Sequence, residues 1–257
     1  MNLKNTSKII CVMSAVTFMG LTGCQPAQRE PYAPVIKTPV SGVPEVLGYS
    51  VQQRPIELFT VGYGPERVLI MATIHGNEAA GLPLANKLLK RLETFEHLHS
   101  KYTVMVMPNA NPDGFALGTR FNASGIDLNR NFPAANRINS TTFGLESLTE
   151  PESKILHDLI LSRKPARIVS IHQPLYCLDY DGPGEAIAES MATYCQLPVK
   201  KLGSRSGSFG SFCGVEHNIP IITMELAESD SQLSEDELWN LYGFSLLAAI
   251  TYPNLPF

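Results

Sequence analysis

Basic residues are in short supply in this sequence, and their scarcity narrows the choice of partners. Lys and Arg total 20 against 24 Asp and Glu, a formal charge of −4, and no long basic run interrupts the chain. A nucleic-acid partner is therefore not expected. Cysteine is sparse too, at five residues, which is too few for a fold held together by disulfides. Beyond residue 24 no segment is apolar over the roughly 20 residues that a membrane span takes. What remains is an ordinary apolar fraction, 44% of 257 residues, enough for one substantial core and with no sign of two globular units.

The first 24 residues stand apart from the fold. Lys4 and Lys8 make a positive start, Ile9 to Leu21 is mostly apolar, and Leu21-Thr22-Gly23-Cys24 closes the stretch. This resembles a bacterial lipoprotein signal with its lipobox, which implies that Cys24 becomes the lipidated first residue of the mature chain. A plain secretory signal or a short anchor is the other reading. The lipoprotein reading places the chain outside the cytoplasm, lipid-anchored in the bacterial envelope, and Gln25 rather than Asp after the cysteine favours the outer membrane. Residues 25–46 carry five prolines and little apolar pattern, as an extended tether does. Residues 47–257 form the folded domain.

Within that domain, Leu47 to Tyr63 has the look of a β-hairpin, with Glu57 to Val61 as its clearest strand. Apolar runs at Arg67–Ala72, Thr103–Met107, Ala166–Ile171 and Pro220–Met224 read as buried strands. Helical spacing covers Ala79 to Leu92, Glu185 to Tyr194 and Glu235 to Ile250. Ser234 with Glu237 forms a capping box before the last of these, whose apolar stripe is Leu238, Leu241 and Leu246. Thr149 and Glu152 have the same spacing before another helix, and Asn111-Pro112-Asp113-Gly114 has turn chemistry. Strands alternating with helices predict an α/β sheet covered on both faces.

Three of the four buried strands end in groups able to bind a metal or move a proton. The first leads to His75-Gly76-Asn77-Glu78, the third to His172, and the fourth to Glu225. A buried apolar strand has no intrinsic reason to finish on an ionisable group, because desolvating one costs free energy unless a partner offsets it. Singly, each could be a surface histidine, a capping carboxylate or a strand-end ion pair. Together they predict one site, at the carboxyl ends of the strands, where open α/β sheets hold their ligands. His75 and Glu78 on a turn can converge on one cation, and zinc accepts that mixture of nitrogen and oxygen. Between them and His172 come Gly118-Thr119-Arg120 and Gly125-Ile126-Asp127-Leu128-Asn129-Arg130-Asn131, where amides adjoin a guanidinium suited to gripping a carboxylate.

In that order these elements resemble the zinc metallocarboxypeptidases: His-x-x-Glu, Asn-Pro-Asp-Gly, an arginine, Asp-x-Asn-Arg-Asn, a strand-end His and a strand-end Glu. The finer text, Asn131 to Asn136, Ser170 to Leu175 and Gly207 to Cys213, is similar to the members that act on cell-wall (murein) peptides. The resemblance implies a mixed sheet of mostly eight strands with helices on both faces, and one zinc ion (Zn2+) per chain. It implies His75, Glu78 and His172 as metal ligands, Glu225 as catalytic base, and Arg120 as the group that stabilises the oxyanion. Asn129 and Arg130 would hold the terminal carboxylate of a murein-derived peptide, cut at the bond between γ-D-glutamate and diaminopimelate.

One departure stands out. Digestive-type members have a mobile tyrosine shortly before the segment that here begins at Ser206, and this chain has Leu202-Gly203-Ser204-Arg205 instead. Cys177 and Cys213 both flank the expected site, so a bridge between them is a further expectation. Two other readings fit part of the pattern. N-acyl amino-acid deacylases of the aspartoacylase and succinylglutamate desuccinylase type share His-Gly-Asn-Glu and Asp-Leu-Asn-Arg, and a tethered lipoprotein could bind peptide without cutting it. Asn111 to Gly114, Arg120 and the Gly207 loop favour the peptidase over the first, and the presence of Glu225 and Arg120 speaks against the second.

Overall fold

A computed structural model of the chain describes residues 43–254. The signal segment, Cys24 and most of the expected tether lie outside the described residues. The hairpin comes first, as β1 (Glu45–Tyr49) and β2 (Pro55–Val61), followed by β3 (Glu66–Ala72), α1 (Gly81–Thr94) and the short α2 (Glu96–His99). Next are β4 (Tyr102–Met107), α3 (Pro112–Leu117), α4 (Pro151–Arg163), β5 (Arg167–His172) and β6 (Leu175–Asp181). The chain finishes with α5 (Glu185–Ala192), β7 (Ile221–Ala227) and α6 (Glu235–Thr251). Strand β1 starts inside the expected tether: Glu45 and Val46 are already paired with Leu58 and Glu57.

Among the described residues one mixed sheet of seven strands, not eight, runs in the order β1-β2-β4-β3-β5-β7-β6. The four central strands are parallel, while β1, β2 and β6 run against their neighbours. Successive side chains on a strand face opposite ways. Val68, Ile70 and Ala72 of β3 thus join one apolar cluster with α1, α5 and α6, while Leu69 and Met71 join another with α4, Phe132, Phe209 and Phe212. This is why the central strands read as unbroken apolar runs. No helix among the described residues is long and apolar enough to cross a membrane.

Several local expectations change. The Ser234 box is present, with Ser234 N donating to Glu237 Oε2 at 2.8 Å and Glu237 N to Ser234 Oγ at 3.3 Å. Leu238 and Leu246 are buried behind it, but Leu241 is 42% exposed and belongs to the outer face. The Thr149 box does not form. Helix α4 is capped one residue later, at Glu150, because the Thr149 hydroxyl accepts from Asn131 Nδ2 at 2.9 Å and Glu152 turns to Val51 N and Asn122 Nδ2. The Asn111 to Gly114 segment is the start of α3, not an isolated turn: Asn111 Oδ1 accepts from Gly114 N at 2.9 Å and Pro112 stands where a helix needs no N–H.

The expected Cys177–Cys213 bridge is absent, and both are buried free thiols. Cys177 sits level with Glu225 on β6. Cys213 lies close to Asp181, whose charge helps raise its pKa after burial, four residues further along the strand. At about 3.3 Å per residue that offset is on the order of 13 Å, beyond the reach of a disulfide.

Candidate metal centre and active site

The centre is assembled at the carboxyl ends of the parallel strands. After β3 the chain turns sharply at Thr73, whose φ is 59°, a costly value for a β-branched residue. Its hydroxyl donates to Pro108 O at 3.3 Å, which holds the turn against the loop after β4. Glu78 N then donates to His75 O at 3.2 Å, so the loop folds back and brings the two side chains together. The His75 Nδ1 and Glu78 Oε1 atoms are 2.7 Å apart. His172, the last residue of β5, places Nδ1 2.8 Å from Glu78 Oε2. The donor atoms of His75, Glu78 and His172 all lie within 4.8 Å of one another, in a buried setting.

Two imidazoles and one carboxylate are a zinc donor set, and the surroundings of this one match. His75 turns Nδ1 towards Glu78, and its other nitrogen, Nε2, is 3.2 Å from Asp127 Oδ1. A carboxylate on the far nitrogen is what fixes the tautomer and orientation of a ligating histidine. Asp127 was missing from the residues expected on sequence. Its signal lay in Asp127-Leu128-Asn129-Arg130, where the neighbouring amides and guanidinium drew the reading to substrate. The same carboxylate accepts from Asn129 N at 3.0 Å and from Arg120 Nε at 2.9 Å, so it ties the metal loop to the arginine and to the turn that carries Asn129 and Arg130.

Charge in the centre is strongly coupled. Burial works against ionisation of Glu78, yet His172 and His75 outweigh it and hold the carboxyl down at about 2. Burial also opposes a charge on His75, but the hydrogen bonds its ring gives to Asp127 and Glu78 raise its pKa above the ordinary imidazole value. Asp127, next to His75 and Arg120, is held well below the usual carboxylate range despite its own burial. Glu225 behaves differently: burial pushes it up, and nearby His172 offsets this only in part.

All seven expected residues among those described, His75, Glu78, Arg120, Asn129, Arg130, His172 and Glu225, line one open cleft of about 300 Å³. Strand register brings Glu225 of β7 beside His172 of β5. Its Oε2 accepts from Leu175 N at 3.3 Å. Asn129 is fixed by Phe209 N, which donates to its Oδ1 at 2.9 Å, so the Gly207 loop braces that side of the cleft. Arg130 Nη1 donates to Asn129 O at 2.5 Å. Gln173 clamps the metal loop to β7, accepting from Ala80 N at 3.0 Å and donating to Ala227 O at 2.7 Å. Among the described residues no tyrosine lines the cleft, in keeping with the departure at Leu202 to Arg205.

Sheet, strand-end ligands and cleft define a zinc peptidase. Residues 43–178 match the zinc carboxypeptidase family, and the chain belongs to it. Murein peptide amidase A of Escherichia coli (strain K12) is 36% identical over 199 residues, 70% of this chain and 78% of the relative. The protein of that name from Vibrio campbellii is 31% identical over 224 residues, 80% of this chain and 86% of the relative. The crystal structure of murein-tripeptide amidase from Escherichia coli O157 superposes with a TM-score of 0.68 at 31% identity, covering 82% of this chain and 93% of that one. Bovine thrombin-activatable fibrinolysis inhibitor, in complex with tick carboxypeptidase inhibitor, reaches 0.69 at 17% identity over 81% and 87%, a likeness of fold alone. The chain is thus a hydrolase of this family, and its His-Glu-His triad makes zinc the metal.

Proposed function

We propose that the protein hydrolyses the C-terminal amide bond of murein peptides, between γ-D-glutamate and diaminopimelate, with one zinc ion held by His75, Glu78 and His172. The observation that carries this reading is the single cleft, in which the triad, a strand-end carboxylate and three cationic or amide groups face one another. The similarity to murein peptide amidase A supports the choice of bond. When bound, zinc supplies a Lewis acid that brings the pKa of a water to about 7.

The chain's own groups do the rest. Glu225 takes the proton of the attacking water and returns it to the leaving nitrogen, as a carboxylate with a raised pKa does well near neutrality. Arg120, oriented by Asp127 through its Nε, aims its remaining N–H groups at the carbonyl oxygen as charge develops there; such a donor is typically worth on the order of 3 kcal/mol. Asn129 and Arg130 bind the free terminal carboxylate, and a substrate without one leaves a half-buried guanidinium unpaired. Mass spectrometry of muropeptides incubated with the zinc-loaded protein tests the reading: release of diaminopimelate supports it, and intact tripeptide in the presence of cleavage elsewhere refutes it.

Cys24 is proposed as a lipidated residue that anchors the enzyme in the bacterial envelope, on the periplasmic side of the outer membrane. Metabolic labelling with a fatty acid should mark the wild-type chain and spare Cys24→Ala.

A further inference from the structure

Beyond the start of β6 a second hollow opens, which the zinc chemistry does not use. Pro174 and Leu175 line the cleft, whereas the next residue, Tyr176, lines a separate pocket of about 360 Å³ between the end of α5 and the second turn of α6. Leu175 is 50% exposed and Tyr176 39%, so two large side chains form a ridge between the two hollows. On β6, Leu175 stands opposite Ala227 and Cys177 opposite Glu225. The backbone of Tyr176 is therefore one strand across and one residue along from the proposed base, roughly 6 Å away at about 4.8 Å per strand and 3.3 Å per residue. Its φ is 48°, a costly value for a bulky residue, and such outliers gather where ligands are held.

The walls of this pocket are aromatic and uncharged. Three phenol rings, Tyr176, Tyr194 and Tyr242, meet the neutral polar groups of Thr193, Gln196 and Asn240, and among the described residues no carboxylate, ammonium or guanidinium lines it. Tyr242 donates its hydroxyl to Asp230 Oδ2 at 2.6 Å, and burial together with that carboxylate raises its pKa, so this phenol stays neutral. Leu241, exposed on the outer face of α6, lines the same pocket. An ion entering would lose its hydration and find no counter-charge. Aromatic walls with a few amides instead suit a small neutral ligand that has one apolar face and a polar edge.

We infer that this pocket binds an N-acetylated amino sugar at the amino end of the substrate, so that the peptide is taken while still joined to its glycan. The C–H bonds of a hexose ring give it an apolar face for the tyrosines, and its hydroxyls and acetamido group give it an edge for Thr193, Gln196 and Asn240. In murein the stem peptide is joined at its amino end to N-acetylmuramic acid, through a lactyl group whose acid is taken up in the amide and so carries no charge. With the scissile amide at Glu225, the γ-D-glutamyl, L-alanyl and lactyl units reach back roughly 10 Å at about 3.5 Å each. That is enough to cross Leu175 and set the sugar against Tyr176. The assignment rests on the proposed amide hydrolysis for the direction of the substrate, and it can fail separately from it.

The test uses the zinc-loaded full chain and two substrates, the free tripeptide L-alanyl-γ-D-glutamyl-meso-diaminopimelate and the same tripeptide carrying N-acetylmuramic acid. The sugar-bearing substrate should have the higher kcat/KM, by about tenfold or more, because binding energy from a remote part of a substrate adds to that quantity. Equal values, or a preference for the free tripeptide, overturn the assignment. Tyr176→Ala and Asn240→Ala, both at exposed positions, should each cut the ratio of the two substrates about fivefold. An unchanged ratio in either variant overturns it. A tripeptide extended by an amino-terminal phenylalanine tests for an apolar side chain in place of the sugar, and a gain as large as the sugar's overturns the choice of ligand. Saturation-transfer NMR with N-acetylmuramyl-L-alanyl-D-isoglutamine, which has no diaminopimelate bond to cut, reads binding without turnover. Transfer to the sugar-ring protons in wild type and its loss in Tyr176→Ala support the pocket; no transfer in wild type overturns it. Should the wild type cleave neither substrate, the proposed function falls while the NMR still decides the pocket.

Discussion

His172 and Glu225 stand at paired positions on adjacent parallel strands, the last residue of β5 beside the fifth of β7. No loop intervenes between the two backbones, so sheet hydrogen bonds fix how far the proposed base sits from a metal ligand. Such a placement is more precise than two loops could give. Glu225→Gln keeps the size and the hydrogen-bonding oxygen of the side chain and removes its capacity to take a proton. Turnover is expected to fall on the order of a hundredfold to ten-thousandfold, with zinc content and thermal unfolding close to wild type. Wild-type turnover in the variant would remove Glu225 from the chemistry.

The pH profile follows from the same residue. Burial, the largest influence, raises the Glu225 pKa above its ordinary 4.5. A base works only when ionised, so activity is lost as pH falls through that raised value. The acid limb of kcat/KM should therefore have its midpoint above 4.5, and it should disappear from the residual activity of Glu225→Gln. An unshifted limb shared by both proteins would assign it to another group.

The catalytic strands were legible because their apolar runs end abruptly on ionisable groups. His172 ends a strand and His75 and Glu78 lie in the loop that follows one, so the residues themselves pointed to a site at the carboxyl ends of the sheet, while the ligand set came with the family resemblance. Strand β6 was not legible, and for a physical reason: Asp179 and Asp181 on its cleft-facing side break the apolar pattern that marks a buried strand. Asp127 was hidden in the opposite way, inside a motif whose other residues looked more informative. The Thr149 box failed because a tertiary partner, Asn131, claimed the hydroxyl that the local pattern assigned to the helix. Local patterns thus fared worst where a side chain answers to something distant.

Asp127 joins the metal loop to Arg120, the arginine proposed to stabilise the oxyanion, through contacts of 3.2 Å to His75 Nε2 and 2.9 Å to Arg120 Nε. Asp127→Asn keeps the shape but loses the negative charge that orients both. Zinc affinity, measured by competition with a chelator, should drop about 10- to 100-fold, the usual cost of losing the carboxylate behind a ligating histidine. Activity at saturating zinc should fall further than metal loss explains, because Arg120 is misaimed as well. Full activity at saturating zinc would confine Asp127 to the metal.

Zinc uptake should depend on pH with a definite sign. In the metal-free chain His75 has a raised pKa, so the stability it contributes is present below 6.5 and is lost as pH rises through the raised value. Glu78, held at about 2, contributes stability above 4.5 that is lost as pH falls through about 2. Zinc takes the place of the proton on His75, so binding releases protons and apparent affinity declines on acidification. Calorimetry in buffers of different ionisation enthalpy measures that release. A chelator should abolish hydrolysis and added zinc restore it.

The glycine of His75-Gly76-Asn77-Glu78 binds nothing, yet the centre depends on it. A Cβ at Gly76 would fall 2.0 Å from Gly114 C and 2.3 Å from Phe115 N, both backbone atoms of α3 that no rotamer change can move aside. Asn111 Nδ2 donates to Ile74 O at 3.2 Å in the same contact, so α3 is pinned against the loop that carries two metal ligands. Gly76→Ala has to separate them. The expected cost is on the order of 3 kcal/mol or more in urea denaturation, with weaker zinc binding as well. Gly118→Ala is the control: φ there is +63° but nothing lies within 4 Å, so only backbone strain of about 1 kcal/mol should appear, and zinc affinity should hold. Equal stability of the two variants would mean that the metal loop does not rest on α3, and the Asn-Pro-Asp-Gly segment would lose its proposed part in holding the site.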